Sequence, residues 1–354
     1  MNTERMLLAD SVSRLFADLE AGVSARNDDS ALKACWSEVD KLGLLQTLVS
    51  ESVGGFGGSW LDAFEVFYRL GQFAVPLPVG EQVLARYLLG VADIDFLSGQ
   101  VALGLCENVH LEKNIVSGAW NFTGNVHAKY WGNEPRFLLV AVSGLEGQCF
   151  VLLSASQATG ICDEPNLAGE MCSNLQFFLA PVLELRFVED ACVLLHNAGA
   201  LLRTAQIAGA LEAILGLCVD HVQQREQFGK PIGTFQAIQH QLALLAEEAA
   251  AVKCAAQSAF RAASIGEAGF EVAAAKLRAN RAITPAASIA HQVHGAIGFT
   301  MEHSLHRFTQ RLWSWRSDFG NDRYWAEQLG KLVLMQGAEH LWSNLIQRGD
   351  NTNG

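Results

Sequence analysis

The chain has 354 residues, 50% of them hydrophobic, which supplies core material for two or three packed units and argues against disorder over most of its length. Its 25 basic and 37 acidic residues leave a net charge of −12, which disfavours nucleic acid or an anionic membrane as the main partner. An anionic ligand must therefore meet locally placed Arg and Lys.

Met1 to Arg5 leads into a helical pattern with no signal-peptide apolar core, and no uninterrupted apolar run reaches bilayer-spanning length. From Glu4 to about Val23, Met6, Leu7, Val12, Leu15, Phe16 and Leu19 recur at helical spacing. Asp28, Asp29 and Ser30 offer caps for a second helix that ends at Leu42-Gly43-Leu44-Leu45. Gly54 to Ser59 is a glycine-rich loop ahead of a third helix from about Trp60 to Gly71. It reads as a loop, since a phosphate cradle would need a preceding strand and a following Lys-Ser/Thr. Pro76-Leu77-Pro78 then introduces another helix around Glu81–Ala85.

After Gly90 the pattern turns to alternation and short apolar runs, which predict strands. Trp120 to Asn125 is one, and Phe137–Val142 and Cys149–Leu153 form a hairpin about Ser143 to Gly147. Leu175–Leu179 and Leu183–Phe187 are two more. The eight cysteines, at 35, 106, 149, 162, 172, 192, 218 and 254, form no C-x-x-C pair and read as buried thiols of a reducing cytoplasm.

From Ala198 the chain is helical again. Leu201, Leu202, Ala205, Ala208, Leu211, Leu215 and Cys218 share one side up to Gln224. Thr234–Ile265, Ala268–Val293 and about Asp322–Leu345 continue the pattern, so the region predicts a bundle of long helices with short links. The tail from Arg348 to Gly354 reads as disordered. Between the first two of these helices lies Arg225-Glu226-Gln227-Phe228-Gly229-Lys230-Pro231, a cationic helix end followed by a Gly- and Pro-bounded turn that can hold an anion. A second stretch is Gln292-Val293-His294-Gly295-Ala296-Ile297-Gly298-Phe299. His291, His294, His303 and His306 are spaced by three in places, a spacing compatible with metal binding but here read without a metal role.

The two stretches resemble, in order and separation, the R-x-x-F-G and Q-x-x-G-G-x-G motifs of the acyl-CoA dehydrogenase family. Gln236–Ala243, Glu302–Arg307 and Gly118–Gly124 are similar to family phrases as well. The resemblance implies an α+β chain with the acyl-CoA dehydrogenase fold: an N-terminal α-helical domain (1–95), a middle β-barrel or sandwich domain (96–195) and a C-terminal four-helix bundle (196–354). It implies FAD as cofactor, acyl-CoA as substrate and a tetramer in the cytoplasm. Arg225 would pair with the pyrophosphate, Phe228 pack on the cofactor and Gln292 hydrogen-bond to it, while Gly295 and Gly298 let the backbone approach. In this family each flavin lies across a dimer interface. Ala296 stands where the second glycine usually is.

The chain departs from the family at the catalytic base, a carboxylate that removes the α-proton while the β-hydrogen leaves as hydride to the flavin. Counted from Gln292, the commonest position for that Glu falls on Phe319; counted back from Arg225, the alternative falls on Gly199. The T-E-P-x-x-G-S-D loop expected before Trp120 has only Val101–Asn108 in its place, which does not match. Three readings stay open. Asp318 could be the base of a complete homo-oligomeric enzyme, provided that there is a local insertion or that it lies in a non-helical loop, since one residue of helix turns a side chain by about 100°; as a solvated or Arg-paired carboxylate near Arg316, it would have no such role. The chain could instead be the subunit without a base in a hetero-oligomer (α2β2) with a homologous acyl-CoA dehydrogenase subunit, as in steroid side-chain catabolism, which Arg311–Arg316 also resembles. It could also be a same-fold flavin oxidase or monooxygenase. The second ranks first, because the motifs kept are those that act across the interface.

Overall fold

In the computed structural model, the described residues are 3–26, 29–95, 99–114, 118–129, 137–144, 146–266 and 268–350. Helices come first: α1 (Thr3–Arg26), α2 (Asp29–Lys41), α3 (Trp60–Gln72) and α4 (Val79–Val91). A sheet region follows, with β1 (Val101–Lys113), β2 (Trp120–Lys129), β3 (Phe137–Gly144), β4 (Gly147–Ser154), β5 (Gly160–Pro165), β6 (Met171–Pro181) and β7 (Glu184–Phe187). The rest is helical apart from a two-residue hairpin, β8 (Glu226–Gln227) with β9 (Lys230–Pro231). Its helices are α5 (Ala191–Gln224), α6 (Gln236–Ile265), α7 (Gly269–His294), α8 (Leu305–Trp315), α9 (Asp322–Gln336) and α10 (Leu341–Asp350). Contacts group the chain into two compact units, one of residues 1–20, 60–75 and 200–354, the other of residues 21–59 and 76–199.

The first unit is a helical assembly in which α6 packs along α7 and α3, and α7 along α9. Phe64, Phe67 and Trp60 of α3 surround the buried Phe260 of α6 with edge-to-face rings 5.2–6.3 Å apart. Where α3 crosses α5, two glycines remove the side chains that would hold the backbones apart. A Cβ on Gly71 would lie 1.9 Å from the Gln206 carbonyl oxygen, and one on Gly209 would lie 2.0 Å from that of Tyr68. Beside this crossing Glu212 accepts from both the Tyr68 hydroxyl and, at 2.6 Å, Lys253. α5 is long and apolar enough in composition to cross a bilayer, yet 67% of its most apolar window is buried within the protein. It is a core helix, and Arg203, Gln206 and Glu212 interrupt its apolar run.

The second unit is built on one seven-stranded sheet of order β5-β6-β2-β1-β3-β4-β7. Every pair is antiparallel except β1 with β3, which run parallel over Val101–Gly104. One face buries Phe122, Val126, Leu138, Val140, Val151, Leu153, Leu175 and Phe177. β4 is buried at five successive positions, Cys149–Leu153, so it reads as a continuous apolar run; β6 alternates along much of its length. β1 bulges between Glu107 and His110, with Asn108 at φ 54°. The glycine-rich loop donates inward: Gly55, Gly57 and Gly58 N–H groups reach the carbonyls of Ser50, Val49 and Thr47 at 2.8–3.0 Å. Those donors are spent on the loop's own backbone, which accounts physically for reading it as a plain loop.

Several sequence expectations change, among them the burial of all eight cysteines, since Cys162 and Cys254 are exposed. Val101–Asn108 is the start of a strand rather than a loop. α6 starts at Gln236, two residues after the expected Thr234, which closes a 3-10 turn over Ile232–Thr234 with its hydroxyl donating to the Pro231 carbonyl (2.7 Å). The last long helix is broken at Gly337, whose φ of 85° ends α9. The tail is helical to Asp350, with Arg348 paired to Glu271 of α7 at 2.6 Å; residues 351–354 lie outside the described residues, as do Asp28 of the expected cap and Leu145 of the β3–β4 turn.

Candidate cofactor-contact site

α5 stops where the Arg225 N–H makes its last helical bond, to the His221 carbonyl at 2.9 Å, and the Arg225 carbonyl accepts from Ile232 N–H at 2.8 Å. Those two bonds close a loop around the β8–β9 hairpin. At its tip Phe228 and Gly229 have φ values of 56° and 77°, the paired positive values that a two-residue turn of the primed type needs. Gly229 adopts this freely, whereas Phe228 is held there at some conformational cost. Phe228 is also 90% exposed, with only Phe235 edge-on at 6.1 Å. Arg225 is exposed beside it. The corner thus presents a guanidinium and an aromatic ring to whatever lies outside the chain.

The second stretch ends α7. Gly295 takes φ 64° and ψ −142° as its cap, and no atom lies within 4 Å of the place a Cβ would occupy, so its backbone is open to approach. Gln292 is exposed one turn earlier. Gly298 has another cause: a Cβ there would come within 2.8 Å of the His294 Cβ and 3.3 Å of Leu305, so its small size serves the loop's own packing. Thr284, His291, Gln292, Gly295, Phe299 and Trp313 are among the residues that line an open cleft of about 430 Å³ on this helix end, with the His291 ring stacked on Phe299 at 4.4 Å.

The two stretches are brought together by imidazoles. His221, one turn before Arg225, stacks on His294 with ring centroids 4.5 Å apart, and His303 meets the other ring edge-to-face at 4.6 Å. Cys218 Sγ lies 3.9 Å from His294 Nδ1, which also makes a 2.8 Å hydrogen bond to the Ala290 carbonyl. Burial first, then the neighbouring imidazoles, hold His221 and His303 below the ordinary histidine range, and burial and His294 do the same to His291. Among the described residues no group of three His, Cys, Asp or Glu has the geometry to hold a metal ion.

The base positions are elsewhere in the same unit or in α5. Gly199 is buried within α5. Phe319 is 6% exposed with φ 53°, in the turn that follows α8. Asp318 is indeed in a non-helical turn, and its carboxylate accepts from Arg203 Nε at 3.0 Å. The Arg203 side chain is 2% exposed and its guanidinium sits over the Trp315 and Phe319 rings, 5.9 and 5.6 Å from their centroids. Arg316, the nearer basic residue in sequence, pairs instead with Asp322 at 2.6 Å. Beneath the turn the buried Lys276 Nζ donates to Asn280 Oδ1 (2.6 Å) and to the carbonyls of Trp315, Arg316 and Gly320 (3.2–3.4 Å). Sequence reasoning missed Arg203, Lys276 and His221, none of which lies in a motif that would single it out.

Residues 195–331 match the family described as acyl-CoA dehydrogenase, C-terminal domain. The chain is 26% identical over 325 residues to acyl-CoA dehydrogenase IpdE2 of Mycobacterium tuberculosis, an alignment covering 87% of this chain and 90% of that one. Among solved structures, the steroid acyl-CoA dehydrogenase Tcur3481-Tcur3483 is similar with a TM-score of 0.84 at 22% identity, covering 95% of this chain and 99% of that one. The ChsE4-ChsE5 complex from Mycobacterium tuberculosis has a TM-score of 0.80 at 21% identity, with coverage of 95% and 98%. The architecture of N-terminal helices, central sheet and C-terminal helices is therefore the acyl-CoA dehydrogenase fold. Residues 195–331 thus match the C-terminal domain of the acyl-CoA dehydrogenases, a family of flavoprotein oxidoreductases, and the chain as a whole has their fold.

Proposed function

We propose that this chain is the subunit without a catalytic base in a hetero-oligomeric, FAD-dependent acyl-CoA dehydrogenase, and that it reaches across an interface to flavin carried by a partner of the same fold. One observation carries the reading: the groups suited to FAD point outward while the base position is closed. Arg225, Phe228, Gln292 and the Gly295 backbone are exposed, whereas Phe319 is buried and Asp318 is bound to Arg203. The donor set fits the cofactor, with a cation for the pyrophosphate, an aromatic face, an amide and an open glycine backbone. When bound, FAD accepts the β-hydrogen as hydride. In this division of labour Arg225 neutralises the pyrophosphate, Gln292 fixes its orientation, and the partner's carboxylate takes the α-proton. The steroid named for one similar structure, and a cytoplasmic setting, extend the proposal to substrate class and place.

The test is a visible absorption spectrum of the chain purified alone, then of the chain co-expressed with the product of a neighbouring gene of the same family. Acyl-CoA thioesters are added to both without air. The expected result is flavin and substrate bleaching in the co-expressed complex only, with Arg225→Ala releasing the flavin. A yellow homo-oligomer that bleaches on its own would make the chain a complete enzyme, and full flavin retention in Arg225→Ala would remove Arg225 from the site.

A further inference from the structure

Behind the Arg225 corner and the Gly295 loop, His221, His294 and His303 form a chain of contacting rings with 4.5 and 4.6 Å between neighbouring centroids. We infer that anion binding at this corner is proton-linked: the cluster takes up a proton from solvent when a pyrophosphate sits against Arg225. The inference rests on the reading that this corner contacts the FAD pyrophosphate, and it adds the protonation state in which it does so.

The geometry supplies the reason. Two imidazolium charges at 4.5 Å repel each other, so an empty cluster is poor at holding protons. The groups acting on it are themselves basic or neutral: Cys218, His221 and Arg225 from the end of α5, His291 and His294 from the end of α7, and His303 and His306 from the loop into α8. Asp220 and Glu302 adjoin the rings in sequence and are solvent-exposed. His294 is 5% exposed, its Nδ1 is committed to the Ala290 carbonyl, and its buried Nε2 has no hydrogen-bond partner. The His221 ring, one helical turn before Arg225, is thus held against a buried neighbour at the anion site. An arriving pyrophosphate reverses the sign of the local field and favours the charged form. By linkage, an anion that promotes proton uptake must bind more tightly as pH falls.

The experiment uses the chain in complex with its partner, stripped of flavin, with FAD titrated by fluorescence quenching at pH 6, 7 and 8. Calorimetry at pH 7 in two buffers of different ionisation enthalpy counts the protons. For one linked proton the Kd falls as pH decreases, by up to about tenfold per unit, with net proton uptake on binding. His221→Gln and His303→Asn, each still binding FAD at pH 8, flatten the profile. A flat wild-type profile with FAD bound overturns the inference and leaves the cofactor reading intact. An unchanged slope in both variants overturns it as well. Failure to bind FAD at any pH, or binding indifferent to Arg225→Ala, overturns the cofactor reading itself.

Discussion

Asp318 and Arg203 show how one pairing decides a residue's role. Arg203 is nearly fully buried and its partner carboxylate is only 23% exposed, so removing the carboxylate takes the countercharge from a buried guanidinium that keeps its hydrogen bond to Gln206 Oε1. Asp318→Ala is expected to lower stability by about 2 kcal/mol in urea unfolding, below the range for fully buried pairs because Asp318 keeps some solvent. A neutral effect would mean that the ring contacts of Arg203 suffice without it. Lys276 gives a prediction in pH. Four oxygens around its Nζ favour the ammonium, but burial outweighs them and brings the pKa down from 10.5 to about 7. The unfolded chain therefore holds a proton that the folded chain lacks between pH 7 and 10, so this residue makes stability rise with pH across that window. Relative to Lys276→Met, the wild type should gain about 1.4 kcal/mol per pH unit from pH 7.5 to 8.5. Parallel curves for the two proteins would rule the titration out. Neither cation was legible in the sequence, because a lone Arg or Lys in an alanine-rich helix looks the same whether it faces water or the core. Arg225 and Gln292 were legible because they lie in short spaced motifs, and exposure at the ends of α5 and α7 suits the role the motifs imply.

Among the elements, the long helices were readable within a few residues from their apolar spacing. α5 nevertheless starts at Ala191, seven residues before the expected Ala198. β1 was missed because its second half, from Glu107 onward, is half exposed and broken by a bulge, so it carries neither clean alternation nor a long apolar run. α8 was missed because eleven residues between a histidine-rich loop and a tight turn give too few periods for a spacing argument. The crossing of α3 and α5 was not legible at all: Gly71 and Gly209 are far apart in sequence, and only their contact explains them. Gly209→Ala should cost about 3 kcal/mol, since its Cβ would lie 2.0 Å from a backbone oxygen that cannot rotate away. A shifted urea midpoint with an unchanged m value would support this; a wild-type midpoint would show that the helices can slide apart at no cost.

At the scale of the whole molecule, the proposed function places half of a dehydrogenase site in a chain with the acyl-CoA dehydrogenase fold. Two of the similar solved structures carry paired names, one of them expressly a complex, and both align over 95% of this chain, while others of the same fold, a butyryl-CoA dehydrogenase among them, carry single names. On the proposed division of labour, a chain that exposes Arg225 and Phe228 and buries Phe319 where a carboxylate is expected need not carry the same residues as its partner. This leads to a stoichiometry. If the chain contributes Arg225 to a partner's flavin and supports no dehydrogenation of its own, the assembled enzyme has one catalytic flavin for each pair of chains. Installing the missing carboxylate by Phe319→Glu should then leave the isolated chain inactive. The new side chain would enter a turn with positive φ, beneath the Arg203 guanidinium 5.6 Å from the present ring, where it would pair with that cation rather than stand free as a base. Bound flavin per protein mass and anaerobic bleaching by acyl-CoA, measured on the isolated variant and on the complex, decide the matter. Turnover by Phe319→Glu alone would show that the pocket is intact and only the base is missing, and the division of labour would fail with it.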